Sequence, residues 1–137
     1  MKLKIKYDNP WQYIQNAKDL LKNYAIKEGE FYTRPKYVKT AGHVAYSGVL
    51  LALDELMEHN GVKIKHRKDA NDYRNFLSKK NNKILFYFNE AYNYLHLFMG
   101  YDGSLSIKTS KTGLEYAEKI IEWVEKQLGK KWERHEN

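Results

Sequence analysis

One long amphipathic helix with a face of small residues constrains the fold of this chain more than any other feature. Between Pro35 and Asn60, apolar residues recur at steps of three and four, the spacing of one helix face. Gly42 and Gly48 each cost about 1 kcal/mol of helix propensity, so close packing is the expected reason for their presence. We predict that this helix begins at Pro35, stops at Asn60-Gly61 and crosses a neighbouring helix tightly. The residues of its apolar face are Val38, Ala41, Ala45, Gly48, Val49, Ala52, Leu53 and Leu56.

Four further segments carry helical patterns. They run from a capping Asn9 and Pro10 to about residue 28, from about 69 to 79, from about 83 to 99, and from Ser104 or Ser106 to Leu128. We therefore predict an all-α fold, an up-and-down bundle of about five helices, four of them long and one short.

The chain of 137 residues corresponds to a single domain, 1–137. Residues 1–7 are expected to form a short extended arm and residues 130–137 a charged tail. Charged and apolar residues alternate over 2–7 and again over 62–65, which is the period of a β-strand. These two segments either pair as a minor ribbon against the bundle or remain extended arms.

Composition excludes several classes of protein. There is no cysteine, which excludes a disulfide framework, thiol catalysis and cysteine zinc sites. No run approaches eighteen apolar residues, and the first residues lack the apolar core of a signal peptide. We therefore expect a cytoplasmic protein that makes no contact with a membrane.

The net charge of +7 suggests an acidic partner, and 13 of the 24 basic residues lie in residues 1–68. Only four of the 24 are arginine, the residue that best matches phosphate oxygens, so a solvated lysine surface is the alternative. Glutamates spaced along the last helix at Glu115, Glu118, Glu122 and Glu125 are also interpreted as a solvated face. The candidates for an anion-binding patch are Lys2, Lys4, Lys6, Lys63, Lys65, Arg67 and Lys68.

The fourth helix is apolar nearly all round, which indicates a central helix or one shared with a second copy. We predict a homodimer on this ground, because surplus apolar surface usually marks an interface. The alternative is that its aromatic residues stack nucleic-acid bases. These aromatic residues are Tyr87, Tyr92, Tyr94, Phe98 and Tyr101.

Two histidines on long helices, His43 and His96, have apolar and aromatic neighbours. One hypothesis is that they line a polar cleft together with Tyr46, Tyr92 and Asp102, which makes these five residues the ligand-binding candidates. The alternative is that each is a structural histidine at the edge of the core. No histidine pair has metal-ligand spacing with a nearby carboxylate, so we expect no metal site and no cofactor.

The pattern of the second helix is similar to that of HEPN-type helical bundles. The resemblance rests on residues 36–46 (KYVKTAGHVAY) and 50–56 (LLALDEL), preceded by 17–21 (AKDLL) in the opening helix. HEPN domains accompany nucleotidyltransferases, occur in toxin–antitoxin pairs and form some ribonucleases. The resemblance therefore implies a HEPN-like bundle and a possible nucleotidyltransferase partner.

A narrower resemblance covers nearly the whole chain. Residues 94–103 (YLHLFMGYDG), 113–117 (GLEYA) and 120–123 (IIEW) look like those of an uncharacterised family, a domain of unknown function, of small bacterial helical proteins. This family has no assigned function, so the resemblance adds no activity and no site residue.

The ribonucleases among HEPN proteins use an arginine followed four to six residues later by a histidine, and this chain lacks that motif. Eight residues separate Arg34 from His43, no histidine follows Arg74 as far as residue 83, and Arg134 directly precedes His135. The resemblance therefore assigns no catalytic residue.

The leading hypothesis is a non-catalytic HEPN-like module that binds a partner protein or a nucleotide-type ligand. Two alternatives stay open. One is a nucleic-acid binder that uses the basic first half of the chain and recognises no sequence. The other is an enzyme with an unrecognised site near His43 and His96.

Overall fold

The computed structural model of the chain describes residues 9–134. Within this part the predicted all-α bundle of five helices is confirmed. The fourth helix changes from α-helical to π-helical geometry along its length. The elements are α1 (Pro10–Asn23), β1 (Lys27–Glu28), β2 (Phe31–Tyr32), α2 (Pro35–His59), α3 (Ala70–Ser78), α4 (Asn82–Ala91), the π segment (Tyr92–Tyr101) and α5 (Ile107–Leu128).

Side-chain caps fix the helix starts that the sequence indicates. The Asn9 side chain accepts a hydrogen bond from the Trp11 backbone, and Pro10 occupies the first turn of α1. Asp69 and Asp72 form a reciprocal capping box at the start of α3. Ser106 caps α5, whose end is set by the left-handed backbone of Gly129 (φ 68°).

One local prediction is wrong, and one element was not predicted. Helix α1 ends at Asn23 rather than near residue 28, and β1 and β2 form an antiparallel hairpin in the connection to α2. Residues 62–65 form no strand: their backbone is irregular, and Val62 and Ile64 pack against the core instead of a partner strand. The proposed partner segment 2–7, with the arm 1–7, lies outside the described residues.

The predicted tight crossing of α2 is confirmed. A Cβ atom added at Gly42 would lie 2.5 Å from the carbonyl oxygen of Leu95 in the π segment. One added at Gly48 would lie 2.8 Å from Cβ of Tyr13 in α1. Helix α2 therefore runs through the centre of the bundle, with a glycine at each of its two close contacts.

The start of the predicted charged tail returns to the bundle. Glu125, which the sequence placed on a solvated face, is only 7 % exposed. Its Oε2 accepts hydrogen bonds from the Trp11 indole Nε1 (3.0 Å) and from the Trp132 backbone (2.8 Å). The Arg134 guanidinium stacks 3.7 Å above the Trp11 ring. Tertiary packing turns Glu125 inward because two donors, one from α1 and one from the chain that returns after α5, satisfy its carboxylate.

Candidate functional site

Four of the five predicted ligand-binding residues lie together. The His96 ring centroid is 4.9 Å from that of Tyr46, 5.0 Å from Tyr92 and 5.8 Å from His43. His43 and Tyr46 lie one turn apart on α2, and Tyr92 and His96 one turn apart on the π segment. The close crossing at Gly42 brings these two helix faces into contact. We call this group, together with Tyr101 and Arg74 described below, the histidine cluster.

The π segment adds Tyr101 to the cluster. The Tyr101 ring makes edge contacts with His96 at 5.3 Å and with His43 at 6.3 Å. In an α-helix, residues five apart point about 140° away from each other. In π geometry, hydrogen bonds join residues five apart, so His96 and Tyr101 come onto one face. π-helical turns occur frequently at functional sites.

Asp102, the fifth predicted residue, is exposed and follows the π segment as its C-cap. No ring contact, hydrogen bond or ion pair within residues 9–134 links its carboxylate to the histidines. The structure therefore brings His43, Tyr46, Tyr92 and His96 together and leaves Asp102 at the edge.

Arg74, on α3, extends the cluster at the Tyr92 end. Its guanidinium carbon lies 4.8 Å from the Tyr92 ring centroid and 5.8 Å from that of Phe88. Its hydrogen bonds go to the amide oxygens of Asn89 (2.8 Å) and Asn71 (2.9 Å). Within residues 9–134 it pairs with no carboxylate. A half-buried positive charge held by neutral amides keeps its capacity to bind an anion.

Burial sets the protonation of the cluster. Burial, followed by the charge interaction with His43, lowers the pKa of His96 below its ordinary value. Burial is also the main reason that the pKa of Tyr46 is raised, and the positive charge of Arg74 opposes that rise. At neutral pH the cluster therefore presents a neutral imidazole and a neutral phenol beside a guanidinium.

One atom of the cluster lacks a partner. Nδ1 of His96 is buried and makes no hydrogen bond within the described part of the chain. A buried ring nitrogen is normally satisfied, so an orphaned one marks a place where a water molecule or a ligand group supplies the missing partner. The His43 ring, in contrast, is exposed and lies against the backbone at Gly100.

The described basic candidates lie in the connection between α2 and α3, where Lys63 and Lys68 line a cavity of about 330 Å³ together with acidic side chains. Lys63, Lys65 and Arg67 are exposed between α2 and α3. Lys68 is engaged, with Nζ 3.3 Å from Oδ1 of Asp54. Lys2, Lys4 and Lys6 lie outside the described residues, so their convergence with this loop stays a prediction.

Two features are absent from residues 9–134, a metal-binding cluster and a membrane-spanning helix. No three His, Cys, Asp or Glu side chains come close enough together to hold a metal ion. None of the helices there has the length and apolar character required to cross a membrane.

The sequence did not identify Arg74 as a member of the site, because no histidine lies within a few residues of it along the chain. In the structure, Arg74 and His96 both contact the Tyr92 ring. One signal was present: Arg74 lies one position after Tyr73, on the apolar face of a short helix. An arginine beside an apolar face is expected to stack on an aromatic ring or to pair with a carboxylate.

Comparisons with known proteins agree with this fold. Residues 6–126 match the model of a family described as a domain of unknown function, DUF5618. A solved structure, a protein of unknown function from Dyadobacter fermentans, is similar with a TM-score of 0.82 and 46% identity. That match covers 87% of this chain and 93% of the other. None of the curated proteins matches the chain. The chain belongs to the DUF5618 family.

Proposed function

We propose that this protein is a non-catalytic, HEPN-like binding module whose histidine cluster takes a nucleotide-type ligand. The observation that carries this proposal is the Arg74 guanidinium, which stacks on Tyr92 and has no carboxylate partner within residues 9–134. Arginine is the side chain best suited to phosphate oxygens, which it can bind with two parallel hydrogen bonds. The phosphate of the ligand would replace the missing carboxylate.

The rings beside Arg74 suit the other half of such a ligand. Tyr92, Tyr46 and Tyr101 surround His96, and Tyr101 is 65% exposed at the open end of the cluster. Aromatic faces stack on nucleobases of any kind. The neutral His96 contributes a donor or an acceptor, depending on its tautomer, for a polar edge of the ligand.

Isothermal titration with AMP and with adenosine tests this proposal. We expect AMP to bind and Arg74→Gln to weaken its binding about tenfold or more, because a charge-assisted hydrogen bond is lost. Adenosine should bind more weakly than AMP to the wild type and equally to both proteins. Arg67→Gln is the matched control, because it removes an equal charge from an exposed loop. Equal losses in the two variants, or no binding of AMP, would contradict the proposal.

Self-association is a separate proposal that rests on the outer face of α4 and the π segment. Phe86 is 54% exposed and Phe98 is 41% exposed, and both contact further rings on this side of the bundle. A second copy, or a partner such as a nucleotidyltransferase, would cover this apolar surface in the cytoplasm. We expect sedimentation to show a dimer that Phe86→Ser together with Phe98→Ser dissociates. A strict monomer at high micromolar concentration would refute self-association.

Nucleic-acid binding is the second candidate function, favoured by the exposed Lys63, Lys65 and Arg67. We expect weak binding that is blind to sequence and disappears at moderate salt, because phosphate contacts release counterions. Binding that persists at high salt, or that selects one sequence, would show that the basic loop is a dedicated nucleic-acid site.

An enzyme built on His43 and His96 is the alternative that the cluster itself raises. Cleavage of RNA needs a proton-transfer group and fixed positive charge at the reacting phosphate. His96 and Arg74 are groups of these two kinds. Each contacts the Tyr92 ring, at 5.0 Å and 4.8 Å from its centroid, but no hydrogen bond within residues 9–134 joins the two side chains. We therefore expect purified protein to leave single-stranded RNA intact. If the protein cuts RNA, and His43→Ala or His96→Ala abolishes the cutting, the protein is an enzyme instead.

A further inference from the structure

A cleft lined by none of the histidine-cluster residues lies between α1, the hairpin and the first turns of α5. Its volume is about 570 Å³, within the range of small-molecule sites. Apolar side chains from all three elements line part of it: Leu21, Tyr32, Ile107 and Leu114. It is therefore a concave, partly apolar site that the proposed function does not use.

An orphaned hydroxyl lies in the wall of this cleft. Ser110 is 1% exposed, and its Oγ has no hydrogen-bond partner within residues 9–134. A serine in a helix usually satisfies its hydroxyl on a carbonyl one turn earlier, and Ser110 does not. A buried hydroxyl without a partner calls for one, and the cleft is the adjacent space from which a ligand atom can supply it.

The charges around the cleft are mostly positive. Lys18, Lys22, Lys27 and Lys111 line it, together with a single carboxylate, Asp19. Lys18 is engaged with Glu118 at 2.7 Å. Asp19 accepts a hydrogen bond from Gln15, which leaves it with a neutral partner. The other three lysines pair with no carboxylate in the described part of the chain.

Tyr32 adds a polar group to the apolar side of the cleft. Its side chain is buried, and burial raises the pKa of its phenol. At physiological pH the phenol is protonated, so its hydroxyl can donate a hydrogen bond.

From the cleft, the orphaned Ser110 hydroxyl and the unpaired Lys22, Lys27 and Lys111, we propose a binding site for a small organic monophosphate with an apolar body. The lysines would face the phosphate, Ser110 would rotate to donate to it, and Leu21 and Leu114 would contact the apolar part. Three unpaired lysines favour a phosphate dianion over a carboxylate, because a carboxylate carries a single charge. The site is independent of the nucleotide site proposed above.

Titration of the ¹⁵N-labelled chain with phenyl phosphate, followed by amide chemical shifts, tests the site. We expect saturable shifts at Ser110 and Lys111 and binding about tenfold tighter than that of inorganic phosphate, because the ring buries apolar surface. Benzoate should bind more weakly than phenyl phosphate. Arg74→Gln should leave phenyl phosphate binding at Ser110 unchanged, which separates this site from the histidine cluster.

Substitutions distinguish a built site from general attraction to lysine. We expect Ser110→Ala to weaken the binding of phenyl phosphate about tenfold. The melting temperature should stay the same or rise, because the deleted hydroxyl has no hydrogen-bond partner within residues 9–134. Lys111→Gln should weaken it similarly, whereas Lys108→Gln, an exposed lysine one turn away that does not line the cleft, should not. No saturation by phenyl phosphate, or equal effects of the two lysine substitutions, would overturn the proposal.

Discussion

Replacing Gly42 by alanine tests the packing that assembles the histidine cluster. The new Cβ would lie 2.5 Å from the Leu95 carbonyl oxygen, 2.6 Å from Cβ of Met99 and 2.9 Å from the Gly100 backbone nitrogen. Two of these three atoms belong to the backbone of the π segment, so no side-chain rotation relieves the overlap. Since ordinary contact begins near 3.4 Å, the two helices must separate by about 0.9 Å at this point.

Two opposing effects decide how far Gly42→Ala lowers the free energy of unfolding. Alanine raises helix propensity by about 1 kcal/mol relative to glycine. Overpacking of a close-packed core costs about 1–3 kcal/mol, and a gap of this width also forfeits a quarter to a half of each dispersion contact nearby. The neighbouring side chains on both helices, such as Ala45 and Leu95, are fully buried, so packing outweighs propensity. We expect a net loss of about 2 kcal/mol in the free energy of unfolding.

Urea unfolding followed by circular dichroism measures this loss, and for a domain of this size it corresponds to a fall of roughly 8 °C in Tm. Ser47→Ala is the control, because Ser47 is an exposed residue of the same helix and its substitution tests propensity alone. We expect Ser47→Ala to be neutral or slightly stabilising. An unchanged or higher stability of Gly42→Ala would refute the close crossing and, with it, the geometry of the histidine cluster.

Three further substitutions test other parts of the structure. Glu125→Ala should lower the free energy of unfolding by about 3 kcal/mol in urea, because the Trp11 indole and a backbone N–H lose their acceptor. Tyr73→Phe should lower it by about 1 kcal/mol in the same assay, because its hydroxyl donates to Asp54 at 2.8 Å. The His96 pKa is lowered on folding, so the unfolded chain binds the proton first and stability falls as pH drops below 6.5. His96→Gln should flatten that fall between pH 7 and pH 5, as measured by Tm, and a His96 resonance that titrates at its ordinary pKa would contradict the reasoning.

Local chemistry made the helices predictable. Prolines at Pro10 and Pro35, the caps at Asn9 and Ser106 and the stop at Gly129 act within a few residues, so their effects can be read along the chain. The end of α1 was not predictable in this way. The hairpin after it depends on the bridge between Phe31 and Ser106, whose residues are far apart in sequence.

The histidine cluster was predictable only in part. The sequence suggested that these residues line one cleft, and helical spacing accounts for two pairs, His43 with Tyr46 and Tyr92 with His96, each one turn apart. That the two pairs meet depends on the close crossing at Gly42, which the small residues had suggested. Arg74 and the inward Glu125 could not be placed, because each depends in part on a distant partner: Asn89, 15 residues from Arg74, and Trp11, 114 residues from Glu125.

Most helix ends, the apolar faces and the close approach of α2 to a neighbour can be read from the sequence, because caps, periodicity and side-chain size are local properties. Several polar contacts, in contrast, follow only from the three-dimensional structure. Arg74 stacks on Tyr92, Tyr101 turns toward His96 through π geometry, and Ser110 lines a cleft with no hydrogen-bond partner for its hydroxyl within residues 9–134. The first and last depend on the relative positions of packed helices, and the second on a change of helix geometry, neither of which the apolar pattern of a single helix encodes.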